Sequence, residues 1–351
     1  MRGSAAVIGG GVGGLAVAVG LLRAGWTVTV FERAAGLPET GTGLGIWPSA
    51  LRALDRLGVG ARERGRAQPD GAMRRPDGTV IARLDVGRIR RRHGEGVLLL
   101  SRPALLGLLA EALPAGTVRF GAPVAGPAEL GDGYDVVVGA DGIRSATRAA
   151  MFGDRFPLRY SGVTAWRGTV PLEVPSGGET WGRGRKFGVT PQGPGVANWY
   201  AAVAAPEGFR PPEGDLAALR RWFGDWHDPV PAVLDRIDVA GVLHHDVHYL
   251  PPVPTYVRGR WVLLGDAAHA MTPDLGQGAC QALIDAVALA EALAAEADVS
   301  SALARYDGAR RVPTQRMAAM AVRAGRLAQV RRFTGLRDAA LRLALAFGPP
   351  G

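Results

Sequence analysis

Apolar runs of four or five residues, each ending at glycine, recur along the chain, and helical spacing follows them. Ala5-Ala6-Val7-Ile8 is apolar throughout, as a strand covered on both faces is. Leu15 to Ala24 reads as a helix that Gly25 ends, and Thr27-Val28-Thr29-Val30-Phe31 is a second strand. Asp135 to Gly139 and Trp261 to Leu264 are further buried strands. After the second of these, Gly276-Gln277-Gly278 opens a helix whose apolar residues (Ala279, Ala282, Leu283, Ala286, Val287, Leu289, Ala290, Leu293) recur at helical intervals. From Arg155 to about Pro252 the pattern changes. Strand-like pieces at 162–170, 186–190 and 198–204 alternate with Gly/Pro turns, and 215–226 is one amphipathic helix, which predicts an antiparallel sheet laid over the first unit. Two arginine-rich helices, 301–330 and 334–346, follow.

Smaller signals fill the gaps. Ser49 is placed to cap a helix over 50–57 that stops at Gly58, and 79–84 reads as a strand after the Pro76-Asp77-Gly78 turn. Ser101-Arg102-Pro103 opens a helix over 104–113, which puts Arg102 near a helix start, where it can pair with a phosphate.

Composition narrows the class. The chain has 351 residues, 47% hydrophobic and 21% charged, which is globular and large enough for a sizeable core. The net charge is +9 and rests almost wholly on arginine, since Lys186 is the one lysine. The arginines are scattered apart from 88–92 and the C-terminal helices, which argues for solubility or attraction of anionic cofactors rather than nucleic-acid binding. A single cysteine, Cys280, excludes an internal disulfide and a dithiol redox centre and fits a cytoplasmic protein. Residues 4–22 have the hydropathy of a leader or a membrane span, but their glycines belong to a strand–turn–helix whose removal would delete the first strand; no membrane span is expected.

The chemistry concentrates at three strand ends. In Gly9-Gly10-Gly11-Val12-Gly13-Gly14, Gly9 allows the tight turn, Gly11 lets backbone approach a pyrophosphate, and Gly14 lets helix and strand pack closely. Glu32, at the end of the second strand, is placed to accept hydrogen bonds from ribose hydroxyls, which favours FAD or NAD over NADP. Gly276-Gln277-Gly278 leaves backbone N–H groups bare at the positive end of a helix, a site for an anion or for an oxygen that becomes negative during a reaction; Pro273 stiffens the approach. His244, Asp246 and His248 would share one face of a strand, but no fourth ligand accompanies them, so a polar strand face and no metal is expected. Most of the aromatic residues between Trp166 and Trp226 are expected in the core, the remainder lining a cavity for a flat apolar ligand.

Taken together, Gly9-x-Gly11-x-x-Gly14, Gly139-Ala140-Asp141-Gly142 with Arg144-Ser145, and Gly265-Asp266-Ala267-Ala268-His269 with Pro273 and Gly276-Gln277-Gly278 resemble the single-component FAD-dependent aromatic hydroxylases, the p-hydroxybenzoate hydroxylase-like monooxygenases. Thr164-Ala165-Trp166-Arg167-Gly168 resembles their compact salicylate/urate hydroxylase-like branch. The resemblance implies an α/β fold: a Rossmann-like FAD-binding domain (1–155, completed by 253–351 with the C-terminal helices) and an inserted antiparallel-sheet substrate domain (156–252). It implies that Gly9, Gly11, Val12, Gly13, Gly14, Glu32 and Arg33 hold the AMP half of FAD, and that Arg102 contacts the cofactor's phosphate or ribityl region. Val124, in a short Gly/Pro-rich segment where family members usually carry extra strands, takes the adenine contact. Asp141 and Gly142 serve FAD binding and NAD(P)H docking, Gly265 and Asp266 the pyrophosphate and ribityl chain, and Pro273, Gly276, Gln277 and Gly278 lie along the isoalloxazine ring. The implied reaction is reduction of FAD by NAD(P)H, addition of O2 at flavin C4a, and oxygen transfer from the hydroperoxide to an aromatic or polycyclic small molecule. Beside Pro273, the catalytic candidates are His245, Tyr200 and Arg167, as bases for a substrate phenol. An epoxidase or Baeyer–Villiger enzyme, a flavin reductase or dehydrogenase, and a non-catalytic redox sensor are the alternatives, in a monomer or a homodimer. Disulfide reduction is excluded by the lone cysteine. Halogenation is disfavoured because its lysine would have to be Lys186, which lies outside any supporting motif.

Overall fold

The computed structural model describes residues 2–346. A six-stranded sheet runs in the order 257–258, 261–263, 136–139, 4–8, 27–31, 118–119, parallel except for its first edge strand. From Ser4–Ile8 the chain winds first to one side and later to the other. The resulting switch point lies at the carboxyl ends of the central strands, where ligands of such sheets bind. All three glycine turns leave from that edge. They are stitched side by side: Gly9 N–H donates to Phe31 C=O (2.8 Å), Ala140 N–H to Ile8 C=O (2.9 Å) and Leu264 N–H to Gly139 C=O (3.1 Å).

Two helices cover the turns, Val12–Arg23 and Gly278–Ala295, and small residues let them touch. Gly20 lies against Ala290 so closely that a Cβ would come within 2.8 Å of the alanine methyl. Gly278–Ala295 is long and apolar enough to cross a membrane, yet it is a core helix here, with Cys280, Leu283, Ala286 and Leu289 fully buried.

The second sheet has seven strands, in the order 243–249, 159–170, 196–204, 185–193, 177–181, 71–74, 80–84. It is antiparallel except where Gly177–Trp181 meets Gly71–Arg74. The expected inserted sheet is thus completed by a hairpin from the first 155 residues. Strand period divides its residues between two faces. Trp166, Phe187, Val189 and Trp199 point to one face, where the helices Asp215–Phe223 and Val230–Leu234 bury them with Phe223 and Trp226. Arg167, Tyr200, Gly188 and Glu179 are register partners in a single row on the other. The expected aromatic core is therefore the far side of the sheet. A small third sheet joins 43–46, 98–101 and 66–67.

One local expectation is corrected. Ser49 does not cap its helix; Trp47 is the cap residue and Pro48 the first helical residue, so Ser49 falls inside the first turn. The arginine run 88–92 forms a helix, Val86–His93, because Asp85 accepts from Arg88 N–H (2.7 Å) and Ile89 is buried. Ser101 caps as expected, accepting from Ala104 N–H at 3.2 Å.

The third turn is held by a buried charge network. Asp285, on the core helix, accepts from Gly265 N–H (3.0 Å), His269 Nε2 (2.6 Å) and Arg310 Nε (2.6 Å), and Arg310 also donates to Gln281 Oε1 (2.7 Å). Burial pushes the Asp285 carboxyl up, but the charges of His269 and Arg310 and their hydrogen bonds outweigh it and hold the carboxyl at about 2. A carboxyl held below its unfolded value stabilises the fold fully above about pH 4 and loses that stabilisation as pH falls through about 2. Asp285→Asn leaves the mostly buried Arg310 without its counter-charge and buried His269 without its carboxylate partner, and the expected cost is about 3–5 kcal/mol at pH 7. Urea unfolding from pH 7 down to pH 2 checks this; the variant's stability is expected to fall less steeply below pH 4 than the parent's.

Candidate active site

Between the two sheets lies a cavity of about 1070 Å³. Its floor is the switch-point edge: Gly11, Val12, Gly13, Gly142, Gly265, Asp266 and Pro273 to Gly278 all line it. Its roof is the polar face of the second sheet, with Arg167, Glu179, Lys186, Tyr200 and His245; Arg102 lines it from the side.

Two bare helix starts converge on the floor. Neither Gly11, before Val12–Arg23, nor Gln277, before Gly278–Ala295, makes a side-chain cap bond, so the first-turn N–H groups of both helices face a shared space. Asp266 is the exposed first residue of the short helix Asp266–His269. The turns are pinned from behind by buried Arg148, which donates to Ala267 C=O (3.0 Å) and Ile143 C=O (2.6 Å). The glycines divide by function. Gly9 has φ +107° and abuts Ala140 C=O, and a Cβ on Gly14 would overlap the carbonyl oxygen of Gly9, so both serve packing. A Cβ on Gly11 would meet no atom within 4 Å, so its bareness serves only something that approaches from the cavity. Thr272 Oγ1 and Gln277 Nε2 are buried, line the cavity and have no partner in the protein. These features fit a dinucleotide: anion-binding N–H groups for the pyrophosphate, and polar partners for the edge of a ring system laid along Pro273 to Gly278.

Not every expected residue reaches the cavity. Glu32 turns its carboxylate to the glycine loop, accepting from Gly10 N–H (2.6 Å) and Ala34 N–H (2.8 Å). Arg33 is exposed beside it. Val124 packs against the cluster of Ala6, Ile8 and Val137 on the central strands, away from the cavity lining. Asp141 stands behind the turn. Its carboxylate accepts from Ser145 Oγ (2.6 Å) and from Thr147 N–H (2.9 Å) and Oγ1 (3.1 Å), so it holds the turn, and Gly142 alone of the pair lines the cavity.

The roof also revises the roles of the candidate bases. Burial and neighbouring Glu179 push the Tyr200 phenol well above its usual value, and the hydroxyl donates to Glu179, so Tyr200 is not a base. Burial and then Arg102 lower the Arg167 guanidinium somewhat, but an arginine remains a donor. Its Nε is buried and lacks a partner in the protein. His245 is held neutral: burial, then Arg167 and His244, push it down to about 4, so at neutral pH it accepts a proton only weakly. His244 and His248 are committed elsewhere, to Thr164 and Asp215 and to Glu207 respectively. Among the described residues no group is arranged to hold a metal.

Sequence reading passed over the centre of the roof. The Lys186 ammonium lies 2.9 Å from Asp274 Oδ1 and 3.6 Å from Glu179 Oε2, over the ring of Tyr200 at 5.4 Å. Burial opposes its charge, and the two carboxylates more than restore it, holding it well above the usual lysine range. Lys186 thereby ties the second sheet to the floor residue next to Pro273. Glycines make the room: a Cβ on Gly188 would overlap the Tyr200 ring, and one on Gly325 would come within 2.5 Å of the Asp274 carboxylate. The available signals were the lone lysine and the acid following Pro273; Glu179 had none.

A family model described as an FAD binding domain matches residues 2–164 and 230–321. The chain belongs to the FAD-dependent aromatic hydroxylase family. It is 37% identical over 344 residues to the aurachin C monooxygenase/isomerase of Stigmatella aurantiaca, covering 92% of this chain and 89% of that one. It is 30% identical over 327 residues to the FAD-dependent urate hydroxylase of Klebsiella pneumoniae, covering 87% and 85%. The structure of Klebsiella pneumoniae HpxO complexed with FAD and uric acid superposes with a TM-score of 0.87 at 26% identity, over 97% of this chain and 92% of that chain. A salicylate hydroxylase substrate complex superposes with a TM-score of 0.79 at 26% identity, covering 98% and 94%. The α/β fold with its added sheet and C-terminal helices is that of FAD-dependent hydroxylases.

Two glycines separate packing from cofactor binding in this hydroxylase. Gly14→Ala is expected to destabilise the fold by about 3 kcal/mol, because backbone must shift. Gly11→Ala is expected to leave the cofactor-free protein within about 0.5 kcal/mol of the parent while abolishing stoichiometric FAD. Urea unfolding of the cofactor-free proteins and flavin absorbance after reconstitution measure the two effects.

Proposed function

We propose that this hydroxylase oxygenates an aromatic ring that carries both an oxygen acceptor and an N–H donor, held against the roof of the cavity. The observation that carries the reading is the pairing there of an unpartnered Arg167 Nε with the Lys186–Glu179–Asp274 cluster, opposite Pro273 to Gly278. Arg167 donates to a ring oxygen, and Glu179 or Asp274 accepts from a ring or amino N–H. Similar proteins support this. The chain is 37% identical to a 3-amino-4-hydroxybenzoate 2-monooxygenase of Streptomyces platensis and 32% identical to a 2-heptyl-3-hydroxy-4(1H)-quinolone synthase of Mycobacteroides abscessus, and each name pairs an oxygen with a nitrogen.

In this reading residues 1–155 and 253–351 hold FAD and 156–252 present the substrate. The N–H groups after Gly11, with Arg102, Gly265 and Asp266, hold the pyrophosphate and ribityl chain, and Glu32 supports the adenosine end through the glycine loop whose Gly10 N–H it accepts from, with Arg33 beside it. Thr272, Gln277 and Gly278 meet the edge of the flavin ring. When bound, FAD supplies the redox chemistry: it takes electrons from NAD(P)H, reacts with O2 and delivers one oxygen atom to the substrate while the other leaves as water. The chain's own part is positional and electrostatic. Positive charge from Arg167, which no carboxylate among the described residues neutralises, favours a substrate oxygen that is ionised or becoming so, which raises the ring's nucleophilicity without a strong base. Neutral His245, register partner of Ala165 on the same face of the sheet, accepts a hydrogen bond. The apolar walls (Leu99, Leu100, Val163, Val247) keep water from the reacting atoms. The single buried cysteine supports a cytoplasmic setting.

Turnover of 4-quinolones and 3-amino-4-hydroxybenzoate under 18O2 tests this reading. Product carrying one labelled oxygen, with one NAD(P)H consumed per product, is expected; NAD(P)H oxidation that reduces another acceptor and labels no product would overturn it in favour of a reductase. Arg167→Met is expected to raise KM about 10- to 100-fold, the loss of one charged hydrogen bond, with FAD content unchanged.

A further inference from the structure

The last two helices present a surface that the active site does not explain. Eight large hydrophobic side chains are exposed among the described residues, and five of them (Val312, Met320, Phe333, Leu336, Leu343) lie on Val299–Ala328, on Thr334–Ala346 or in the link between them. The three most exposed are together: Phe333 at 79%, Leu336 at 72% and Leu343 at 62%. On the longer helix, Val312, Arg316, Met320 and Arg323 follow at intervals of three or four residues, so they share one outward stripe. Between Asp307 and Asp338 the sequence has eight arginines and no acid. Arg316, Arg323, Arg326, Arg331 and Arg332 of this group are exposed and make no ion pair in the described structure. The terminal helix is not loosely attached. Arg337 is buried against Asp338 and donates to Trp181 C=O and Gly182 C=O, and Arg75 also pairs with Asp338 at 2.7 Å, so the apolar stripe is held outward by a fixed inner face.

We propose that this face docks on an anionic lipid surface. Exposed leucine and phenylalanine interleaved with unpaired arginine match the acyl boundary and the headgroup charge of such a surface together. A second copy of this chain is a poorer occupant, since each copy carries +9 and the same arginines. A nucleic acid would match the arginines but leave the leucines in water. Val322, Gly325, exposed Arg326, Gln329 and Leu345 line the catalytic cavity, so the same two helices carry the outward stripe and, on another side, part of the cavity wall. The docking itself is independent of which ring is oxygenated.

Flotation of the FAD-loaded full chain with vesicles tests it, comparing phosphatidylglycerol mixed with phosphatidylcholine against phosphatidylcholine alone. Binding to the anionic vesicles only, weakened by added salt, is expected. In Arg323→Gln/Arg332→Gln the partition coefficient is expected to fall about fivefold per arginine. In Leu336→Glu/Leu343→Glu it is expected to fall at least about tenfold even at low salt, with FAD content and turnover of a water-soluble substrate unchanged, since none of the four residues lines the cavity. Failure to float with either vesicle overturns the proposal, as does equal flotation with both. A leucine variant that partitions like the parent reduces the face to a polyanion-binding patch and also overturns it. A leucine variant that changes only the sedimentation coefficient gives the face to a second copy.

Discussion

A single carboxylate holds together the part of the protein on which the chemistry depends. Asp285 accepts from the Gly265 N–H, from His269 and from Arg310, and so joins the third glycine turn, the core helix and the long C-terminal helix. The two bare helix starts that face the cavity belong to elements packed on this knot. Anion binding by backbone N–H groups requires them to stay aimed, because nothing in the side chains can correct the aim. A buried charge is costly when alone and stiff when fully paired, and here both carboxylate oxygens are used. The opposite wall has its own knot in Lys186, which reaches from the second sheet to Asp274 on the floor. The cavity is therefore bounded by two charge networks, and its width is set by how they meet.

The second sheet shows how one strand period serves two ends. Trp166, Phe187 and Trp199 fill a core with the helices behind them, and the intervening residues Arg167, Lys186 and Tyr200 face the cavity. A slip of one residue in any of these strands would exchange the two sets, so the buried tryptophans determine where the polar groups point. Gly188 has no side chain because the Tyr200 ring lies across it, and Gly325 none because Asp274 approaches.

The site's electrostatics also decide which chemistry the side chains leave to the cofactor. The candidate bases are disabled as strong bases in three different ways: Tyr200 stays protonated against Glu179, Arg167 is a donor, and His245 is neutral with little affinity for a proton. What remains is a roof of hydrogen-bond partners, with Arg167 its one uncompensated positive charge among the described residues, above a floor of backbone dipoles. Such a site orients and polarises, which suits chemistry performed by a bound ring system.

The local signals in the chain were strong wherever backbone geometry carries the function. The strand–glycine–helix turns at Gly9, Gly139 and Gly265, the cap at Ser101 and the long apolar helix were all legible, because a tight turn or a bare helix start constrains residue type at that very position. The helix over 86–93 was hidden because Ile89 is its one buried residue and gives no periodicity. Asp141 was readable as a turn residue, but its carboxylate has oxygens enough for either a ligand or its own helix, and only the fold shows Ser145 and Thr147 taking them. The hairpin that completes the second sheet and the Lys186–Glu179–Asp274 cluster were beyond reach for a common reason. They bring Gly71–Arg74 to Gly177–Trp181 and Lys186 to Asp274, 88 positions on, and a sequence holds no distance between such residues until the chain has packed. The sequence by itself determined a dinucleotide fold and its turns; the tertiary structure decided which side chains meet across the cavity, because only packing sets strand register and the face each residue presents.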